Sequence, residues 1–286
     1  MSEGNLNIDY KKLLQNSIDK NLENFIIQLN FCNEKFCETA VHDFRVRIRR
    51  FLTLLSMIRY ITDIPLATNI MTMLREQLRI FNPLRDVQVQ ILKVQQMVYT
   101  NPVLYKYFHY LISCEEEYIP FLKHKLREFD ISSLMNLIVN LKLEINKFFN
   151  EYDQKIIRPQ DIACLRYNSV IFRYSSARKD DAISIHKIRL SFKKFRYTME
   201  IIQPITNMQP EDFSELSNFQ TLLGNIQDNT VYINKLREFS ETQEQVSKEM
   251  FKPVEDELFF DREKLIGELF SNFDKFYSFW KQEYMV

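Results

Sequence analysis

The sequence predicts an all-α protein. The chain of 286 residues contains only three glycines, far fewer than turn-rich β folds need for their positive-φ positions. Apolar residues recur at helical spacing over nearly the whole length, as amphipathic helices require. No Val/Ile alternation is long enough to build a sheet.

Taken in order, helices are expected over residues 8–30 and 38–60, each carried by apolar periodicity. Pro65 precedes the next, at 66–80. Pro83 separates that one from 84–99, and Pro102 separates 84–99 from 103–127. A helix at 132–152 completes this series. Asp153 to Asp181 lacks a clean period and is read as a linker. A helix at 183–202 follows, then Pro204 and Pro210, then helices at 211–223, 226–240 and 255–284. The organisation expected is one domain, 1–286, with an N-terminal helical half at 8–152, a linker at 153–182 and a C-terminal half at 183–284.

Two stretches 144 residues apart match closely. Val41–Leu52 reads VHDFRVRIRRFL and Ile185–Arg196 reads IHKIRLSFKKFR. His42 aligns with His186, Arg45 with Arg189, Arg49 with Lys193 and Arg50 with Lys194. Farther on, Leu78–Val87 matches Gln220–Asn229, with Asp86 opposite Asp228. Two blocks in one order with nearly one gap point to an internal duplication and to a function where the two copies face each other.

Net charge is zero, with 38 basic and 38 acidic residues, but its distribution is uneven. Val41–Arg50 carries four arginines and one aspartate, and His186–Tyr197 carries five basic residues and no acid. Residues 238–286 hold twelve acids against six bases, balancing the repeats elsewhere. At about 100° per residue, Phe44, Ile48, Phe51 and Leu55 cluster near 180–240° when His42 is set to zero. His42, Arg45 and Arg49 lie opposite, with Arg50 near 80°. The second copy puts Ile188, Phe192, Phe195 and Met199 on one face and His186, Arg189, Lys193 and Arg196 on the other. Each helix thus buries one face and presents a strip of cations.

Such a strip is either a solvated face or an anion-binding surface. Solvated faces usually mix signs, because like charges one turn apart cost a few tenths of a kcal/mol per pair. The sequence has no GxxxxGK[ST] or GxGxxG loop for a nucleotide phosphate. Cations spread over three turns of two helices suit a long linear polyanion, with arginine forks gripping phosphate oxygens. His42 and His186 lie on the cationic face, and with Asp86 and Asp228 they are chemically adequate metal ligands. Crowded arginines and lysines disfavour a cation there, so no metal is expected. Asp86 and Asp228 are expected in the first turn of a helix, where a carboxylate is favoured, or beside an arginine of their own half such as Arg85 or Arg45. His109 and His124 sit on a separate amphipathic helix. Tyr197 is the aromatic expected near a ligand. Cys32, Cys37, Cys114 and Cys164 show no zinc-site spacing and read as reduced thiols. The longest uncharged runs, Phe51 to Ile58 and Ile131 to Leu141, are well short of a membrane span, and the N-terminus shows no secretory pattern.

The pattern His42-x-Phe44-Arg45-x-x-x-Arg49-Arg50, Leu84-Arg85-Asp86-Val87, His186-x-Ile188-Arg189-x-x-x-Lys193-Lys194-x-Arg196-Tyr197 and Leu222-Leu223-Gly224-x-x-Gln227-Asp228 resembles the CHAD family, the conserved histidine α-helical domain. The resemblance spans roughly residues 8 to 284. It implies two four-helix-bundle-like halves related by pseudo-two-fold symmetry, binding inorganic polyphosphate in a basic groove or pore between them. It further implies a polyphosphate-binding set of His42, Arg45, Arg49, Arg50, His186, Arg189, Lys193, Lys194 and Arg196, with Arg79, Arg85 and Tyr197 added. Leu52 stands where the family usually has a basic residue, and Asn82 replaces a glycine that Gly224 retains, so the surface is expected to be stronger on the second half. The ExExK motif of the often-fused CYTH triphosphatase domain is absent.

The function expected is therefore a cytoplasmic, non-catalytic polyphosphate binder with no cofactor, no membrane partner and an association with polyphosphate granules. Two alternatives stay open: a metal-dependent phosphoanhydride hydrolase, and a nucleic-acid backbone binder. Nucleic acid is disfavoured because single-strand binding calls for stacking aromatics among the cations, and Tyr197 alone qualifies.

Overall fold

The computed structural model of the chain describes residues 9–151, 157–243 and 245–279. It is all-α, with no strand among the described residues. The helices are α1 Tyr10–Lys35, α2 Glu38–Thr62, α3 Leu66–Met97, α4 Leu104–Arg127, α5 Ile131–Glu151, α6 Pro159–Ser175, α7 Ala182–Ile202, α8 Pro210–Glu241, α9 Gln245–Ser271 and α10 Phe273–Tyr277, with a 3-10 turn at Gln203–Ile205.

Helix α2 is the centre of the molecule. Phe44, Ile48, Phe51 and Leu55 are fully buried, as the wheel expects, and Val41, Leu54 and Ile58 widen the stripe. The width follows from its neighbours, since α2 packs against α1, α3, α6 and α7. The Phe44 ring meets Phe25 of α1 at 5.5 Å and Phe81 of α3 at 5.3 Å. On α7, Ile188, Phe192, Phe195 and Met199 are buried likewise, and α7 packs on α6 and α8 as α2 packs on α1 and α3. Turns are short. Phe36 and Asp63, both in the left-handed region at φ 48° and 53°, end α1 and α2.

Four expectations about elements need correction. Residues 66–80 and 84–99 form one helix, α3, that runs through Pro83. Pro83 removes one backbone bond, but Phe81 and Leu84 are both fully buried, and their burial outweighs the break. Residues 211–223 and 226–240 likewise form one helix, α8, through Gly224. A helical glycine costs only about 1 kcal/mol relative to alanine, and Leu223 and Ile226 on either side are buried. The stretch expected as a linker, 153–182, contains α6. Pro159 at the first turn and Asp161, which accepts from the Arg158 backbone N–H, start it. Its Arg166 reaches inward and donates to Ser56 Oγ at 3.3 Å and to Thr198 Oγ1. The last helix starts at Gln245 rather than 255 and stops at Ser271, before α10. The expected ends at residues 8, 152 and 280–284 lie outside the described residues.

The core has two parts. The larger gathers α1, α2, α5, α6, α7 and α10 with the first parts of α3 and α8 and the last parts of α4 and α9. The smaller joins the later part of α3 and the start of α4 to the later part of α8 and the start of α9, around Tyr107, Tyr232 and Phe239. Among the described residues no helix is long and apolar enough to cross a membrane.

Phe44→Ala should lower the unfolding free energy by about 3–5 kcal/mol, the usual loss for a buried ring. A urea titration with an unchanged slope checks this. A loss below about 1 kcal/mol would mean that α2 is not held by this ring cluster.

Candidate anion-binding site

Where α3 and α8 pass from the larger core to the smaller one, a cleft of about 890 Å³ opens. Its floor comes from the two repeated helices. Spacing of three and four residues puts His42, Arg45 and Arg49 of α2 on one face, and His186, Arg189 and Lys193 of α7 on another. Helix α3 contributes Arg85, Asp86 and Lys93, and α8 contributes Gln227 and Asp228. Helix α9 closes the wall with Asp261, Lys264 and Glu268.

The cleft holds seven lysines and arginines against four carboxylates. Several of the cations are poorly hydrated. Arg45 is only 5% exposed; burial first, and then the charge of Arg49, pushes its guanidinium down to about 9. Burial lowers Arg49 and Arg189 as well. Lys193 falls furthest, to about 6, through burial and the repulsion of Arg189 and Arg49. Burial and Arg85 lower His42, while burial raises Asp86 against the pull of Arg45 and Arg49. Desolvation disfavours every charged form here, and the four carboxylates do not offset it. The arrangement therefore favours an incoming anion.

Hydrogen bonds hold parts of the cleft in place. Arg45 Nη1 donates to Asn82 Oδ1 at 2.6 Å. Arg85 is paired with Glu38 and also donates to the Glu38 carbonyl. His186 Nδ1 lies 2.5 Å from Gln227 Oε1; an amide oxygen can only accept, so Nδ1 carries the proton. Arg189 is different. Its Nε is buried and has no hydrogen-bond partner.

Of the twelve residues expected at a site, seven line this cleft: His42, Arg45, Arg49, Arg85, His186, Arg189 and Lys193. The other five do not. Arg79 is exposed on α3, 3.8 Å from Glu76, and Lys194 points to solvent. Arg50 and Tyr197 line a second cleft, of about 560 Å³, formed by α1, α2 and α7. Tyr197 is buried there with the Arg50 guanidinium 5.7 Å from its ring centre. Arg50 and Arg196 both face Glu200, at 2.8 and 3.6 Å. The single strip seen on the wheel is thus divided between two clefts.

Asp86 and Asp228 also lie elsewhere than in a first helical turn. They sit deep inside the 32-residue helices α3 and α8, so the helix N-terminus does not account for them. Asp86 acts on Arg45 and Arg49, and Asp228 on Arg189 and Lys193. Lys93, two turns beyond Asp86, and the three residues of α9 were not foreseen. The acidic tail was expected to balance the repeats at a distance, yet Asp261 and Glu268 stand in the cleft wall. Among the described residues no three His, Cys, Asp or Glu side chains come together as a metal site. Cys32 is buried, Cys37 exposed, and Cys114 and Cys164 intermediate, all as free thiols.

Comparison with known proteins places this geometry. The solved structure of the CHAD domain from the plant Ricinus communis superposes with a TM-score of 0.64 at 17% identity, covering 90% of this chain and 86% of that one. PptA from Streptomyces chartreusis superposes at 0.62 with 10% identity, covering 93% of this chain and 98% of that one. At such identities the likeness concerns the fold alone. No curated protein matches the sequence significantly. The CHAD domain profile matches residues 33–237, well over half the length, from the end of α1 almost to the end of α8, so the chain belongs to the CHAD family.

Proposed function

We propose that this protein binds inorganic polyphosphate, without catalysis, in the cleft between its two repeated helices. The observation that carries the reading is the excess of buried, mutually repelling lysines and arginines on α2 and α7. Such charge is costly in an empty cleft, and a phosphate chain would relieve it at several points together. Membership of the CHAD family supports the same reading. Arginine forks would hold phosphate oxygens bidentately, and Lys93, Lys193 and Lys264 would add point charge. The carboxylates of α3, α8 and α9 then limit the depth of the charge well, favouring a dense polyanion over isolated anions.

On this reading the two repeats are unequal partners. Asn82 already takes one donor of Arg45, whereas the aligned Arg189 has an unused Nε, and the matching block carries Gly224 in place of Asn82. Arg189 therefore contributes more than Arg45.

Arg45→Glu with Arg49→Glu, and Arg189→Glu with Lys193→Glu, should each weaken binding of long-chain polyphosphate by at least roughly a hundredfold, since each charge-assisted contact contributes about 1.5–3 kcal/mol. The α7 pair should lose more. Calorimetry at moderate salt, with circular dichroism to confirm helicity, decides this. Affinities within a few-fold of wild type in both would remove the cleft from consideration. Incubation with polyphosphate and magnesium, manganese or zinc should release no phosphate.

Binding should also take up protons. With its amine at about 6, Lys193 is mostly neutral at pH 7.5, and a bound anion favours its charged form. Affinity should rise as pH falls from 8 toward 6 and level off below, where Lys193 is already charged. Calorimetry at pH 7.5 in buffers of different ionisation enthalpy measures the uptake. Lys193→Met should abolish most of it; uptake unchanged in that variant would assign the proton elsewhere.

A further inference from the structure

The second cleft carries charge that the first one does not explain. Helix α1 lines it with Lys12 and Lys20, and α2 with Arg47 and Arg50. Two carboxylates face them, Asp9 and Glu200. Asp9 is committed, because its Oδ1 accepts the Lys12 backbone N–H at 2.8 Å and caps α1. Lys12, Lys20 and Arg47 form no ion pair among the described residues.

Glu200 is held in an unusual way. Arg50 Nη2 donates to Oε1 at 3.2 Å, and its Nε lies 2.8 Å from Oε2 as an ion pair while remaining buried without a hydrogen-bond partner. Arg196 approaches the same Oε1 at 3.6 Å. The three side chains are only 18–29% exposed. Two arginines converge on one carboxylate, and the buried Nε of each is left without a hydrogen-bond partner, donors that the several oxygens of a phosphate could take up. One negative charge between two guanidiniums leaves positive charge over, with three further cations on the cleft wall.

We propose that the second cleft is a latent site for a phosphate-bearing anion, closed by Glu200, whose carboxylate occupies the arginine pair that the anion would take. Glu200 acts as a tethered competitor, present at high effective concentration. A phosphate carries more charge and more acceptor oxygens than a carboxylate, so it can displace Glu200 only when concentrated or polyvalent. The residue thereby sets a threshold below which the second cleft stays empty. The inference stands on these residues and not on polyphosphate binding in the first cleft.

The test uses inorganic tripolyphosphate and the Glu200→Gln variant, titrated by calorimetry. To silence the first cleft, the same substitution is also made with Arg45→Glu and Arg49→Glu. Glu200→Gln should add or tighten a binding event by at least roughly tenfold, about 1.4 kcal/mol. The gain should persist in the first-cleft variant and vanish when Arg50→Gln is added. No gain, with helicity intact, would overturn the proposal and leave Glu200 as a structural ion-pair partner. Should Glu200→Gln fail to fold, the wild type gives the answer by nuclear magnetic resonance of arginine Nε–H groups. Arg50 and Arg196 should shift at millimolar tripolyphosphate; resonances unmoved at every concentration would refute displacement of Glu200. Because the first cleft is silenced separately, loss of polyphosphate binding there leaves this outcome readable.

Discussion

Uncompensated positive charge in a partly dehydrated cleft is the constraint around which this fold is organised. Helices α2 and α7 must bury one face in the larger core and still hold arginines where water is scarce. The fold tolerates this by giving each cation a local partner of limited strength. Arg45 has Asn82, Arg85 has Glu38, and Asp86 and Asp228 act on the arginines beside them. None of these neutralises the cleft. A protein that needed only stability would reach it more easily with apolar residues in these places.

Much of this architecture was legible in the sequence, and the reasons differ by residue. Phe44, Ile48 and Phe51 announce a buried face through spacing alone, and the duplicated block repeats the message at Ile188, Phe192 and Phe195. Pro83 and Gly224 misled because local rules weigh one lost bond or one flexible residue, whereas the fold weighs Phe81, Leu84, Leu223 and Ile226 at the same time. Helix α6 was hidden because its apolar residues are irregularly spaced; Pro159 followed by Asp161 was the start signal available.

A wheel sets Arg50 about 100° from Arg49 but does not show which clefts the two enter. Arg49 and Arg50 are consecutive residues of α2. They enter different clefts, one walled by α3, α7, α8 and α9 and the other by α1 and α7, and that arrangement is a tertiary fact. The same holds for α9, which lies beyond the segment matching the CHAD profile and still supplies a wall of the first cleft. Its Lys264 sits among acids in the sequence and gives no sign of belonging with Arg189 and Lys193. Residues of this kind, outside the shared motifs but inside the shared space, are where one family member acquires a selectivity of its own.

Helices α3 and α8 each extend some 48 Å at 1.5 Å per residue, and both run from one hydrophobic core into the other. Pro83 lacks a backbone donor, and Gly224 lacks the side chain that stiffens a helix. The aligned blocks put these two weak points at one level of the molecule, beside the cleft. The paired helices thus resemble two beams notched at the same height. A bend of either helix at these points would move one core against the other and so change the width of the cleft.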